Sequence, residues 1–382
     1  MSAQNKNEAM KRGFNLFKIA GIQVKIDISW FIIFFLVLWS LSAGYFPRQF
    51  PGQTAHFYWF SGLVATLLFF FSVIFHELSH SFTALQFGIK IPEITLFIFG
   101  GISRLSEEAK TPGSEFKIAV AGPLSSFFLA GVFWIFQTLT SRLQVPMAHA
   151  IFGYLVWINL ALGIFNLLPG FPLDGGRVLR ALLWYKTGSL AKATKWASDV
   201  GKGLAVALMI LGALQIFAGL LIGGLWLIFI GMFLRGVAEG GYQEVMVRQS
   251  LEGVPVREVM IEDMVTVSQD MSVSELINDY LLKYGYKGFP VTGNGHIVGI
   301  VSLAEVKDID KESQEKIKVG EVMKQLGDSN TVESSYSLVQ ALQKMSAEGS
   351  ARLIVKENER PVGMITKTGV VRFLEIKRIL ER

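Results

Sequence analysis

The chain is predicted to pair an all-α membrane domain, made of six transmembrane helices with a re-entrant β-hairpin, with a cytoplasmic α+β module built from a repeat. Three observations predict this. The 382 residues are 51% hydrophobic and only 18% charged, against about 25% charged in an average soluble domain. The charge is also unevenly spread: residues 1–243 hold 18 basic and 10 acidic side chains, about 12% of that stretch, whereas 244–382 hold 18 and 21, about 28%. Finally, two segments of the second stretch recur at a nearly constant offset. One ordinary soluble enzyme is therefore excluded, and so is a purely membranous protein.

Residues 1–26 are polar and basic, with Lys6, Lys11, Arg12, Lys18 and Lys25, and are read as a cytoplasmic N-terminal segment without a cleavable signal. The membrane domain, 27–240, contains apolar runs at 28–46, 58–87, 116–139, 149–168, 200–218 and 220–238. Each is long enough to cross about 30 Å of hydrocarbon. Basic residues cluster before the first run, at 88–115 (Lys90, Arg104, Lys110) and at 186–202 (Lys186, Lys192, Lys195, Lys202), while the opposite loops carry only Arg48 and Arg142. The positive-inside rule then puts both termini in the cytoplasm of a multi-pass cell-membrane protein. The same rule explains the net charge of +5, so no nucleic-acid partner is expected; the partner is the lipid bilayer.

Residues 94–103 are β-prone and too short to span, and predict a re-entrant or interfacial hairpin turning at Gly100-Gly101, because backbone cannot sit unpaired in lipid. After a linker at 241–251, Val256-Arg257-Glu258-Val259-Met260 recurs as Val319-Gly320-Glu321-Val322-Met323, and Gly299-Ile300-Val301-Ser302 recurs as Gly363-Met364-Ile365-Thr366. Two copies, 252–313 and 314–382, are too few for a solenoid and predict a paired α+β module.

The sharpest chemical signal is His76-Glu77-Leu78-Ser79-His80. It reads H-E-x-x-H on a helix, where i, i+4 spacing puts both imidazoles on one face. Neutral imidazole binds zinc, and the intervening Glu is placed to deprotonate a water. From this composition the chance occurrence is on the order of 0.004. A satisfied pair of packing histidines is the bland alternative, but ionisable groups within a span are costly and functional by default. A catalytic zinc site needs a third protein ligand. Cysteine is absent, which also removes a disulfide framework and a Cys nucleophile. Among carboxylates, Asp174 stands out in the Pro/Gly-broken segment Asn166-Leu167-Leu168-Pro169-Gly170-Phe171-Pro172-Leu173-Asp174-Gly175-Gly176. Its alternative role is a loop acid pairing with Arg177.

At these residues the chain resembles the site-2 protease family of intramembrane zinc metalloproteases, which joins H-E-x-x-H to an N-x-x-P-x-x-x-L-D-G segment on a later helix. The resemblance covers about residues 20–240. It implies one Zn²⁺ held by His76, His80 and Asp174, with Glu77 as general base and Asn166 contacting the substrate backbone or the developing oxyanion. It also implies that a strand including Ile98, Phe99, Gly100 and Gly101 pairs with an unwound substrate, beside Pro169 and Pro172. The Gly122-Pro123-Leu124-Ser125-Ser126 stretch resembles the family's Gly-containing third motif, or serves close helix packing alone. The implied substrate is a single-span or membrane-associated protein of the anti-sigma or pro-sigma factor type.

The repeats resemble a tandem CBS pair, which implies binding of ATP or another adenine nucleotide, with Thr266, Ser302 and Glu305 as candidates. Copy two has Gly369 where copy one has Glu305, so only the first copy retains the ribose-binding acid. A pair used only for homodimerisation or docking is the alternative. Another class of function also stays open on the residues alone. It is a CBS-regulated transporter or channel with His76, Glu77, His80 and Asp174 as an ion pathway. The spacing favours the protease, because one distant Asp completes a three-ligand set and only one broken segment, 166–176, is found.

Overall fold

A computed structural model of the chain describes residues 13–98, 100–104 and 109–380. Its contacts divide it into two units, Met1–Gln243 and Glu244–Arg382.

The first unit opens with two strands, β1 (Phe14–Ile19) and β2 (Ile22–Ile26). Ala20 and Gly21, both at positive φ, make the two-residue turn between them, the geometry that matches strand twist. β2 buries Ile22, Val24 and Ile26 and leaves Gln23 and Lys25 half-buried, a period-2 pattern. It pairs in parallel with β3 (Glu93–Phe97), and β3 pairs antiparallel with β4 (Gly100–Arg104). The order is β1-β2-β3-β4. The expected hairpin is therefore half of a four-stranded sheet. Its turn falls one step before the glycine pair, since Phe97 opposes Gly100. The other half comes from the stretch read as a polar, basic N-terminal segment, for which no strands were expected.

Among the described residues, six helices are long and apolar enough to cross a membrane, at Trp30–Gln49, Ala55–Gln86, Pro112–Arg142, Pro146–Asn166, Leu190–Phe217 and Leu221–Leu251. We number them α1, α2, α3, α4, α6 and α7. Between α4 and α6 lies α5 (Asp174–Thr187), a 14-residue helix too short to span. α2 starts at Thr54, whose hydroxyl accepts from the Phe57 amide, and α3 at a Thr111–Ser114 capping box with Pro112 at its first turn. The sheet packs on α2 and α3 through Ile22, Ile94, Leu78, Ala84 and Ile118. In a separate cluster, Leu41, Phe46, Leu129, Phe133 and Leu155 join α1, α3 and α4. The stretch expected as a linker, 241–251, is helical within α7.

The second unit holds two small sheets. One has order β5-β6-β7-β8 (Val267–Ser268, Gly288–Gly293, His296–Ser302, Lys324–Gln325), the other β11-β10-β9 (Arg360–Thr366, Arg352–Glu357, Thr331–Glu333). Each has its own core, around Val267, Phe289 and Val301 in one and Val332, Leu353 and Ile365 in the other. The V-x-E-V-M segments are exchanged between them. Val256 is fully buried in the core of copy two, with Val259 and Met260 packed against it, whereas Val319 is buried in the core of copy one with Val322 and Met323. Each copy thus lends its opening segment to the other.

Candidate metal centre

His76 and His80 lie one turn apart on the same face of α2 and are 4% and 7% exposed. Asp174 arrives from a different direction. α4 stops at Asn166, the chain crosses a turn fixed by Phe171 N–H donating to the Ala197 carbonyl and Leu173 N–H to that of Gly170, and Asp174 is the first residue of α5. Its Oδ2 lies 3.1 Å from His76 Nε2 and 3.1 Å from His80 Nε2, and the two Nε2 atoms are 3.2 Å apart. Among the described residues these three form a group able to hold a metal ion.

Two features of this triangle test its fitness for zinc. A tetrahedral ion with ligand bonds of about 2.0–2.1 Å has ligand–ligand edges of about 3.3 Å, and all three sides are close to that length. The protons also fall correctly. His80 Nδ1 is 2.7 Å from the Ile118 carbonyl, which can only accept, so Nδ1 carries the hydrogen and Nε2 of the neutral ring presents a lone pair. His76 Nδ1 sits 2.9 Å from Ser126 Oγ, which allows the same tautomer. With that tautomer in both rings, three lone pairs converge at 3.1–3.2 Å, an arrangement that a cation among them stabilises. The donor set fits zinc.

α3 shapes the rest. A Cβ on Gly122 would stand 2.1 Å from His80 Nε2 and 2.5 Å from His76 Nε2, so only glycine lets the helix pass this close. Glu77 lies half-buried between the two histidines in sequence, and a Cβ on Gly101 would stand 2.4 Å from its Cγ. β4 therefore runs directly against the Glu77 side chain. Among the described residues it is the last strand of its sheet, so one side of its backbone faces no described strand.

The structure thus brings together His76, His80, Asp174, Glu77 and Gly101. Asn166 ends α4, and its amide donates to the Leu162 carbonyl of the same helix at 3.0 Å. Pro169 is exposed and Pro172 half-buried in the turn before α5. The Ile98 amide donates to Ser29 Oγ at 3.3 Å, and Gly100 opens β4. Phe99 lies outside the described residues. The alternative pairing of Asp174 with Arg177 gives way to another: Arg177 Nε donates to Glu115 Oε1 at 3.1 Å, and Arg180 Nη2 to the same oxygen at 2.6 Å. Glu115 and Arg180 were not singled out from sequence as functional, although a carboxylate one turn inside an apolar helix was the available signal, and Ser126 entered only as part of the stretch at 122–126.

In the second unit, Ser302 caps the short helix Leu303–Val306. Glu305 Oε2 accepts from the Ser302 amide at 2.8 Å and from its hydroxyl, and Glu305 Oε1 pairs with Lys324 at 3.1 Å. Burial raises the Glu305 pKa, but the Ser302 and Lys324 hydrogen bonds outweigh it and hold the carboxyl below the ordinary range. Thr266 is half-buried just before β5. In copy two Thr366 accepts from the Gly369 amide at 3.0 Å. Both nucleotide candidates with a carboxyl or hydroxyl at this corner are therefore already engaged in a cap.

Comparison with known proteins adds the family. The model of Peptidase family M50 matches residues 64–150 and 138–210, and that of the CBS domain matches 256–312 and 319–376. Rip3 of Mycobacterium tuberculosis is 33% identical over 375 residues, 97% of this chain and 95% of that protein. A zinc metalloprotease of Methanocaldococcus jannaschii is 32% identical over 372 residues, 97% and 99% of the two chains. The solved site-2 protease of the same archaeon is 33% identical over 60% of this chain and 94% of that chain, with a TM-score of 0.42. The chain belongs to peptidase family M50, the site-2 proteases, and carries two CBS domains in tandem.

Proposed function

We propose that the chain is an intramembrane zinc endopeptidase that cuts a peptide bond in or near the transmembrane segment of a single-span or membrane-associated protein, of the anti-sigma or pro-sigma factor type. The observation that carries this reading is the donor triangle of His76, His80 and Asp174 beside Glu77 and the edge strand β4. An ion pathway needs donors spaced along a route, and three donor atoms within 3.2 Å make a single point.

The chemistry that zinc supplies in such a site is Lewis acidity toward a carbonyl oxygen and acidification of a water. The protein's own residues do the rest. Ser126 and the Ile118 carbonyl fix both imidazoles with their Nε2 lone pairs turned inward. A helical substrate shields its carbonyls in i→i−4 hydrogen bonds and must unwind. The edge of β4, with Gly100 and Gly101, accepts the unwound segment as an added strand and lays it across Glu77, and Ile98 and Phe99 are proposed as further substrate contacts. Glu77 takes the proton of the attacking water as its oxygen bonds the carbonyl carbon, then returns it to the leaving nitrogen as the C–N bond breaks. Asn166, Pro169 and Pro172 border the segment on the side of α4 and α5. Asn166 reaches the substrate by exchanging its bond to Leu162.

The clustering of basic residues in alternate loops supports a site toward the cytoplasmic face with both termini inside. The CBS pair senses ATP or another adenine nucleotide in copy one through Thr266, Ser302 and Glu305, and provides a homodimer contact.

Co-expression with tagged single-span proteins tests this reading, with and without a membrane-permeant zinc chelator. A chelator-sensitive product ending in or near the transmembrane segment is expected, its yield changing when ATP is added to isolated membranes. Cleavage that survives chelation would sink the zinc assignment.

A further inference from the structure

We propose that Glu115 is the positioning residue of the donor triangle, acting through Arg177 and Arg180 on the helix that carries Asp174; the inference rests on the zinc reading above. Glu115 is 2% exposed, and one of its oxygens accepts from both guanidiniums. Arg180, 7% exposed, also lies over the Phe171 ring at 5.6 Å, so it grips the broken segment just before Asp174. Arg177 is one turn beyond Asp174 on α5, the spacing that puts two side chains on one helix face.

The placement of Glu115 on α3 gives the cluster its meaning. Positions 115, 118, 122 and 126 follow one another at steps of three or four residues and so line one face of that helix. Ile118 and Ser126 orient His80 and His76, and Gly122 makes room for both. Glu115 is the fourth member of this face, and it holds the third donor by tying down the helix of Asp174. One face of α3 thereby sets all three donors.

The charges show why an anion is needed there. One carboxylate against two guanidiniums leaves a single positive charge. Glu115→Gln would make it two, inside a region where an unpaired charge is costly. The guanidinium of Arg177 would then turn to the next carboxylate on its own face, Asp174, and compete with the metal for it. Adding Arg177→Met removes the competitor and returns the cluster to one positive charge. A merely structural role predicts the opposite ranking, because two cavities or lost bonds are worse than one.

The test is the zinc affinity of the full chain in detergent, measured by competition with a chromophoric chelator and without any substrate. Glu115→Gln is expected to weaken zinc about 10–100-fold, and Glu115→Gln with Arg177→Met to recover most of that loss. Wild-type affinity in the single variant, or weaker binding in the double variant than in the single, overturns the proposal. A wild-type chain that binds no zinc would instead overturn the metal reading on which it rests.

Discussion

Glu77→Gln is expected to lower cleavage about 10²–10⁴-fold, the usual contribution of a positioned general base, with zinc still bound. The amide has nearly the carboxylate's shape, so it keeps its place against Gly101 on β4. None of the three donors is removed, and neither Nδ1 partner is disturbed. What disappears is the ability to take a proton from water. The measurement is product yield in the co-expression assay alongside zinc content of the purified variant. Undiminished cleavage would remove Glu77 from the chemistry, and zinc loss would move it from base to ligand.

Gly122→Ala is expected to cost at least about 100-fold in zinc affinity, at the upper end of effects from residues around a metal site, and to abolish cleavage with it. The added methyl would overlap both Nε2 atoms, at 2.1 and 2.5 Å. Neither ring can simply step aside. Their Nδ1 atoms are bonded to Ile118 and Ser126, which sit on the same helix as the intruding methyl, so moving α3 away breaks what orients the rings. Gly131→Ala on the same helix is the control, since a Cβ there meets nothing within 4 Å and helix propensity favours alanine. If the two variants bind zinc equally, the close approach of α3 has no functional weight.

The six spans were legible because length and apolarity alone identify them, and all six helices overlap the runs read from sequence. H-E-x-x-H and the Asp174 segment were legible because zinc chemistry restricts residue type and spacing so tightly. β1 and β2 were missed although Ile22, Val24 and Ile26 alternate correctly, because five basic residues drew the reading toward charge and topology. α5 escaped because helices were sought by spanning length, and 14 residues after a broken segment look like a loop. The exchange of Val256 and Val319 between the CBS cores could not be read at all: a repeat says that two copies are alike, not which copy a segment packs into. Glu115 needed three dimensions, since its partners are 62 and 65 residues away.

The central claim is that His76, His80 and Asp174 together hold one zinc ion. Its most direct test is elemental analysis of the purified full-length chain beside His80→Ala and Asp174→Asn. One zinc per chain is expected in the wild type and almost none in either variant, because two remaining donors make a far weaker site than three. Stoichiometric zinc that persists in both variants would contradict it.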